Sequence, residues 1–251
     1  MSYKLANSVI VLTQPAESAA SLYASLTEMG ANVRLLPMIE TAALQLNPSD
    51  WAVLQACNDF EWLVFTSKNG VRFFYEKLLE SGTAHPQAKI AAIGAKTASA
   101  LAKFGQVANF VSRGNTSAEM WQAFEPQLTG NERILLVQGS LAPATLMENI
   151  ASKASVQRLD VYETVPSHVS AQEVALALTD NLSCVVFTSP SAVYRLKELS
   201  GELWPLLQKR AVCIGNVTAK ALTDAGISQF IVATKASDEG LLEAIEILLR
   251  V

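Results

Sequence analysis

The 251-residue sequence contains few of the residues that form metal or redox sites. It has three cysteines, Cys57, Cys184 and Cys213, and none of them belongs to a CxxC pair. An odd count without that spacing is typical of a reducing compartment and predicts neither a disulfide framework nor a zinc site. The two histidines, His85 and His168, lie in predicted loops and are not near a cysteine. We therefore expect no metal site.

Clustered basic residues and long apolar runs are also missing. The chain has 19 basic and 23 acidic residues, a net charge of −4, and no long run of either sign. This argues against nucleic acid, since neutralising phosphates requires clustered Lys and Arg. No apolar stretch approaches the ~18 residues of a membrane span, and the N-terminus lacks the apolar region and cleavage site of a signal peptide. We expect a cytoplasmic enzyme or binding protein that does not contact a membrane.

Three common chemical motifs are absent as well. There is no GxGxxG after a predicted strand, no Walker A sequence and no GxSxG elbow. Their absence argues against dinucleotide binding, nucleoside triphosphate hydrolysis and serine esterase chemistry.

What the sequence does contain is a recurring strand-and-helix pattern. Short apolar runs rich in β-branched residues, such as 9–12 and 90–93, are each followed by turn residues and an amphipathic helical pattern that ends in glycine, Gly30 and Gly105 in these two cases. Continuous apolar strands are typical of parallel sheets that are buried on both faces. The pattern predicts a doubly wound α/β fold, and the length, above the ~150-residue prior for one domain, predicts two domains.

The pattern is also duplicated along the chain. Residues 65–71 (Phe-Thr-Ser-Lys-Asn-Gly-Val) match residues 187–193 (Phe-Thr-Ser-Pro-Ser-Ala-Val) at an offset of 122. Residues 93–98 (Ile-Gly-Ala-Lys-Thr-Ala) match residues 214–219 (Ile-Gly-Asn-Val-Thr-Ala) at an offset of 121. Matches in one order at a nearly constant offset predict one α/β unit used twice, with the functional site in the cleft between the two copies.

The two copies need not be two contiguous domains. Segments 38–46 and 156–164 match each other and are candidates for strands that cross between two lobes. In that arrangement residues 1–37 and 166–251 form lobe one, residues 48–155 form an inserted lobe two, and residues 38–47 and 156–165 are linker strands. A head-to-tail pair of domains is the alternative.

The carboxyl ends of the predicted strands are the candidate ligand site, because ligands of open parallel sheets bind there. Each of these ends precedes a helix, whose free N–H groups and partial positive charge can bind anions. They carry small or hydroxylic residues, namely Thr13, Thr66, Ser67, Gly94, Gly139, Thr188, Ser189 and Gly215. The alternative for each hydroxyl is N-capping, which Ser and Thr favour with or without a ligand. For the set as a whole, we predict a ligand with several carboxylates or phosphates.

Thr97 and Thr218 occupy equivalent positions in the two copies. Each lies about three residues past a strand-ending glycine, in the first turn of a predicted helix. One interpretation is a second capping residue or an ST-turn. The other is a hydroxyl that points into the cleft from each lobe. The sequence leaves both open.

The copies differ at Tyr162, whose counterpart is Ile39. Strict alternation along a strand puts Tyr162 on the same face as Arg158 and Asp160, opposite Leu159. A tyrosine on the polar face of a strand between lobes can donate a hydrogen bond or act as a general acid. The alternative is an amphipathic surface tyrosine, since tyrosine is often only partly buried.

Taken together, these segments resemble the uroporphyrinogen-III synthase family along essentially the whole chain. The resemblance rests on residues 11–15 (Val-Leu-Thr-Gln-Pro), on both Phe-Thr-Ser-x-x-x-Val and both Ile-Gly-x-x-Thr-Ala motifs, on residues 161–164 (Val-Tyr-Glu-Thr), and on residues 233–242. It implies two flavodoxin-like parallel-sheet lobes joined by a two-stranded β ladder, with the N-terminal unit packed in the C-terminal lobe.

The resemblance also implies a reaction that needs no cofactor. Its substrate is hydroxymethylbilane, a linear tetrapyrrole with eight carboxylates. The terminal hydroxyl leaves as water to give an azafulvene, and the last ring is attacked at its substituted carbon, inverted through a spiro intermediate and closed into the macrocycle. By resemblance, Tyr162 is the acid that assists departure of the hydroxyl, Thr97 and Thr218 are the cleft threonines, and Ser67 and Ser189 are the strand-end serines. We expect a monomeric, cytoplasmic lyase.

The predicted site therefore has one catalytic residue, Tyr162, and no metal. The predicted substrate-binding residues are Thr13, Thr66, Ser67, Asn69, Thr97, Gly139, Thr188, Ser189, Ser191 and Thr218. The sequence departs from the family pattern at Gln14, where many relatives have Arg. It departs again at Gln138-Gly139 and Pro143, where bacterial relatives often have an Arg-Gly turn with a further Arg. Backbone donors must then bind more of the carboxylates.

Two other functions fit parts of the pattern. One is a two-lobed protein that binds a small molecule without catalysis, in a periplasmic or regulatory role. The absence of a signal peptide argues against the first role and the absence of a helix-turn-helix against the second. The other is a phosphosugar or nucleotide enzyme of similar fold, which the missing glycine-rich phosphate loops disfavour.

Overall fold

The computed structural model describes residues 4–114, 116–178 and 181–250. Over these residues the chain forms eleven β-strands and ten α-helices, numbered here in chain order. The strands are β1 (Val9–Leu12), β2 (Asn32–Leu35), β3 (Ile39–Ala43), β4 (Trp62–Phe65), β5 (Lys89–Ile93), β6 (Phe110–Ser112), β7 (Arg133–Gly139), β8 (Ser155–Pro166), β9 (Leu182–Phe187), β10 (Ala211–Cys213) and β11 (Phe230–Val232). The helices are α1 (Ala16–Glu28), α2 (Pro48–Gln55), α3 (Lys68–Glu80), α4 (Gly94–Ala102), α5 (Ser117–Phe124), α6 (Thr145–Ala151), α7 (Ala171–Ala177), α8 (Pro190–Ser200), α9 (Asn216–Asp224) and α10 (Asp238–Leu249).

The chain divides into two compact units. The first unit consists of residues 1–40 and 165–251, and the second consists of residues 41–164. Strands β3 and β8 contain most of the segments predicted as linkers, and they are hydrogen-bonded neighbours. β8 also pairs with β7, so this two-stranded ladder forms one edge of a larger sheet.

The sheet of the first unit has five parallel strands in the order β11-β10-β9-β1-β2. Alternate strand residues face two separate apolar clusters. Val11 packs in the cluster covered by α7, α8 and α9, whereas Ile10 packs in the cluster covered by α1 and α10. Because helices cover both faces, strands β1 and β10 are apolar at every position, as is typical of parallel sheets.

The sheet of the second unit has six strands in the order β3-β8-β7-β4-β5-β6, and the pairs from β8 to β6 are parallel. Phe65 packs on the face covered by α2, α3 and α4, and Val64 packs on the face covered by α5 and α6. The order β6-β5-β4-β7-β8 repeats the order β11-β10-β9-β1-β2, with each strand replaced by its sequence counterpart. The predicted doubly wound α/β fold is confirmed in both units.

The three cysteines pack in the apolar clusters of the two units. All of them are buried and free. Burial raises the pKa of the Cys57 and Cys184 thiols and raises that of Cys213 to about 11. Across the described ranges no cluster of three or more His, Cys, Asp or Glu is arranged to hold a metal ion. In the same ranges no helix has the length and apolar character needed to cross a membrane.

Candidate active site

Tyr162 lies on β8 at the carboxyl edge of the second sheet. Asp160 is opposite Gln138 on β7, but the next pair is Tyr162 with Gly139, so Val161 is an extra residue on β8. Such a bulge changes the direction of the side chains that follow it. The Tyr162 ring stacks on Phe73 of α3, with 5.7 Å between centroids and 19° between planes, and Phe73 belongs to the same cluster as Val161. Strict alternation, which put Tyr162 on the face of Arg158 and Asp160, therefore fails at this residue.

The Tyr162 hydroxyl is held by Ser67. The two side-chain oxygens are 3.0 Å apart, and either can donate the hydrogen bond. Ser67 is the N-cap of α3, and its Oγ accepts the Gly70 N–H at 3.0 Å. The phenol is thus fixed at its ring by Phe73 and at its oxygen by a residue that helix capping already orients.

Gly139 leaves the room that this ring needs. A Cβ added at Gly139 would lie 2.6 Å from Cζ and 3.0 Å from the hydroxyl oxygen of Tyr162. Atoms of side chains do not approach that closely, so residue 139 must be glycine while the ring stays where it is. The sequence predicted Gly139 as a substrate-binding residue, but it gave no sign of this contact with Tyr162.

A cavity of about 250 Å³ opens beside the tyrosine, entirely within the second unit. Its lining residues are Gly139, Ser140, Leu141, Ala142, Tyr162, Glu163 and Thr164. Four of these belong to the segment 139–142, which we call the β7 loop. The Leu141 side chain at the tip of the β7 loop is 76% exposed. The wall of the cavity is therefore formed largely by one short segment.

The β7 loop is bound by Arg158 of β8, which the sequence prediction did not include among the site residues. Its Nη2 donates to the carbonyls of Gly139 and Ser140 at 3.4 and 3.1 Å, and its Nη1 donates to Ala142 O at 3.2 Å. Its Nε donates to Asp160 Oδ1 at 2.8 Å. Backbone carbonyls carry no residue-type signal, so only the structure could reveal these partners.

The other predicted residues of the second unit lie at the same edge of the sheet. Thr66 precedes Ser67, Asn69 lies two residues after it, and both are partly exposed. Thr97 is 4% exposed in the first turn of α4, which begins at Gly94 with φ of +71°. The N-terminus of α4 lies within the described residues, and no side-chain hydrogen bond caps it. Thr97 is therefore not the cap of α4.

In the first unit, Ser189 repeats the arrangement of Ser67. It is the N-cap of α8, and its Oγ accepts the Ala192 N–H at 3.3 Å. Thr188 is partly exposed and Ser191 is exposed. Thr218 is 3% exposed and lies in the first turn of α9. Like α4, α9 has no side-chain hydrogen bond at its N-terminus, which lies within the described residues. The capping alternative thus does not hold for Thr218.

Thr13 and Gln14, at the end of β1, are directed into the protein. Thr13 is fully buried, and its Oγ1 donates to Val186 O on β9 at 2.7 Å. Gln14 is 5% exposed, and its Nε2 contacts Ser18 O at 3.4 Å. Because the Thr13 hydroxyl proton is already donated within the sheet, it is not available to a ligand carboxylate.

The two capping serines lead to a stability prediction. Ser189→Ala should lower the free energy of unfolding by about 1 kcal/mol, because it removes the side chain that satisfies an N–H of the first helical turn. Ser67→Ala should lower it by about 2 kcal/mol, because it removes both the equivalent cap and the hydrogen bond to Tyr162. Equilibrium urea unfolding of both variants would measure this. A Ser67 variant as stable as the parent chain would show that the Gly70 contact contributes nothing to α3.

A family model described as uroporphyrinogen-III synthase HemD matches residues 20–243 of the chain. Among curated proteins, the porphyrin biosynthesis protein HemD of Ruminiclostridium josui is 25% identical over 239 residues, which is 93% of this chain and 47% of that protein. The chain thus spans about half the length of that relative. The uroporphyrinogen-III synthase of Chlorobaculum parvum is 28% identical over 225 residues, which is 87% of this chain and 89% of that protein.

A solved structure shows the same fold. The crystal structure of uroporphyrinogen-III synthetase from Helicobacter pylori superimposes with a TM-score of 0.63 at 22% identity, over 94% of this chain and 97% of that one. The fold is therefore shared over nearly the whole length. Since the family model covers most of the sequence, the chain belongs to the uroporphyrinogen-III synthase family.

Proposed function

We propose that this protein is a lyase that converts hydroxymethylbilane into uroporphyrinogen III, with inversion of the last pyrrole ring and loss of water. The observation that carries the proposal is the fixed Tyr162 hydroxyl, 3.0 Å from Ser67 Oγ, beside a cavity at the carboxyl edge of the second sheet. This is the residue on which the family resemblance places the acid. The proposed enzyme acts as a cytoplasmic monomer without a cofactor, as the sequence predicted.

The first step breaks the C–O bond of the terminal hydroxymethyl group. Tyr162 donates its proton to the departing hydroxyl, which leaves as water, and the bilane becomes a protonated, cationic azafulvene while Tyr162 becomes a phenolate. The substituted carbon of the last ring then attacks the methylene carbon of this cation and forms the spiro intermediate. The older bond between that ring carbon and its methylene bridge breaks, and the bridge bonds instead to the unsubstituted carbon of the ring, which inverts the ring and closes the macrocycle. The ring loses a proton when it recovers its aromaticity, and the phenolate of Tyr162 can accept one, so that no acid is consumed overall.

In this mechanism, orienting the bilane contributes more to the rate and to the choice of isomer than a strong nucleophile would. The substrate cyclises without an enzyme, but to the isomer whose last ring is not inverted. Holding the reacting carbons in the correct orientation can lower a barrier by several kcal/mol. The Tyr162 hydroxyl suits this role, because Phe73 and Ser67 fix its position before substrate binds.

The eight carboxylates need anion sites, which helix N-termini provide in a chain of net charge −4. In the proposal, each sheet edge binds carboxylates through hydroxyls, amides and free N–H groups at the start of its helices. The proposed residues are Thr66, Ser67, Asn69 and Thr97 in the second unit, and Thr188, Ser189, Ser191 and Thr218 in the first. Gly139 contributes the space for Tyr162. Thr13 is left out, because its hydroxyl donates to Val186 O.

The test is an isomer assay. Hydroxymethylbilane is supplied to the purified protein, the product is oxidised, and the type I and type III porphyrins are separated and quantified. We expect type III to dominate and to form faster than type I forms in buffer. Type I alone, at the uncatalysed rate, would refute the assignment. Tight binding of the bilane without turnover would instead support the small-molecule binding protein.

A further inference from the structure

One side chain, that of Arg158, donates hydrogen bonds to three carbonyls of the β7 loop, residues 139–142. We propose that Arg158 is a positioning residue, which holds the β7 loop in place as the wall of the cavity beside Tyr162. The proposal rests on the function proposed above and extends it to a residue that is not expected to touch the substrate.

All donors of the guanidinium are used inside the protein. Arginine has five N–H groups in a planar fork. The N–H groups of Arg158 donate to three carbonyls of the β7 loop and to the Asp160 carboxylate. When the amide oxygen of Gln138 is turned toward the guanidinium, it accepts from Nη1 at 3.1 Å and from Nε at 2.9 Å. A group with every donor engaged has none left for a substrate carboxylate. Its function is therefore to order the residues around it.

The loop that Arg158 holds is also bound to the backbone of Tyr162. The Ser140 N–H donates to Tyr162 O at 3.0 Å, and the Ala142 N–H donates to Gly139 O at 3.0 Å. Gly139 in turn lies under the Tyr162 ring. A shift of the β7 loop would therefore move both the cavity wall and Gly139, which contacts the Tyr162 ring.

Asp160 keeps the arginine oriented. The pair is only partly exposed, with 22% of the Arg158 side chain and 27% of the Asp160 side chain accessible. The carboxylate compensates the charge and fixes Nε, so that both terminal nitrogens point toward the β7 loop.

Arg158→Lys tests the proposal. Lysine keeps the positive charge but has a single nitrogen, which cannot reach three separated carbonyls at once. We expect kcat for type III formation to fall roughly 10-fold, with a smaller change in KM, because misplacing a catalytic wall by a fraction of an ångström costs rate more than binding. We also expect faster hydrogen–deuterium exchange of the amides of residues 140–142 in the absence of substrate. In Arg158→Ala, millimolar guanidinium should restore part of kcat.

The matched control is Arg34→Lys. Arg34 also donates to two backbone carbonyls, those of Leu176 and Ala177 at 3.0 and 3.2 Å, but it does not line the cavity. This variant should keep its kcat and its exchange rates at residues 140–142. If Arg158→Lys does not fold, Asp160→Asn replaces it, with the same direction of change and a smaller size.

The two readouts separate this inference from the proposed function. Exchange is measured without substrate, so it reports on the β7 loop even if the wild-type chain makes no type III product, which would refute the function alone. Unchanged exchange at residues 140–142 in the Arg158 variant would overturn the positioning role, whatever happened to kcat. Faster exchange with an unchanged kcat would overturn it too, since the loop's order would then not matter to the reaction.

Discussion

Tyr162→Phe is expected to lower kcat for type III formation about 100-fold, the usual contribution of a positioned general acid. The variant keeps the ring, and with it the stacking on Phe73 at 5.7 Å. It loses only the oxygen that would protonate the departing hydroxyl. Initial rates at saturating hydroxymethylbilane, with the two isomers separated, would measure the effect.

Stability should change little in the same variant. The lost hydrogen bond joins Tyr162 to Ser67, both of which are partly exposed, and such a bond contributes about 1 kcal/mol. For a chain of this size that corresponds to a shift in Tm of roughly 2–4 °C. Tyr23→Phe on α1, where the side chain is 37% exposed, is the matched control and should leave both rate and Tm unchanged. A wild-type rate in Tyr162→Phe would remove the residue from the mechanism.

Gly139→Ala is expected to reduce kcat by a similar factor, about 100-fold, although residue 139 supplies no reacting group. The new methyl would lie 2.6 Å from Tyr162 Cζ, so the ring must move away and its contact with Ser67 must break. The φ angle of Gly139 is not among the positive values of the described glycines, so the expected effect is steric and not a matter of backbone strain. The rate assay with separated isomers measures it.

A double variant isolates the cause of that loss. If the methyl acts by displacing the phenol, adding Gly139→Ala to Tyr162→Phe should cost little further rate, because the hydroxyl is already gone. Strict additivity of the two effects would show that residue 139 acts on the substrate by another route. A Gly139→Ala enzyme with the parent kcat would mean that the ring has more freedom than its contacts indicate.

Much of the fold could be predicted from the sequence because both faces of each sheet are buried. Ile10 and Val11 are neighbours in the chain yet pack in different clusters, and this is why the strands are continuous apolar runs. The site region could be predicted for a related reason, since the carboxyl ends of parallel strands meet at one edge. Ser67 and Ser189 follow from that rule together with helix capping.

The orientation of the catalytic candidate could not be predicted in this way. The bulge at Val161 adds one residue to β8, and no residue type in the segment marks it. Arg158 was also missed, because three of its partners are backbone carbonyls. The hydrogen bond from the Thr13 hydroxyl to Val186 O on the neighbouring strand could not be predicted from the residue type either.

The burial of the cysteines has a practical consequence. Thiolate is the reactive form of cysteine, and burial raises the pKa of all three thiols, so alkylating reagents should leave the folded protein unmodified. A cysteine placed at residue 141, where the native Leu141 side chain is 76% exposed, would then be the one reactive thiol. A fluorophore attached there would report directly on the filling of the cavity, without any need to remove a native cysteine first.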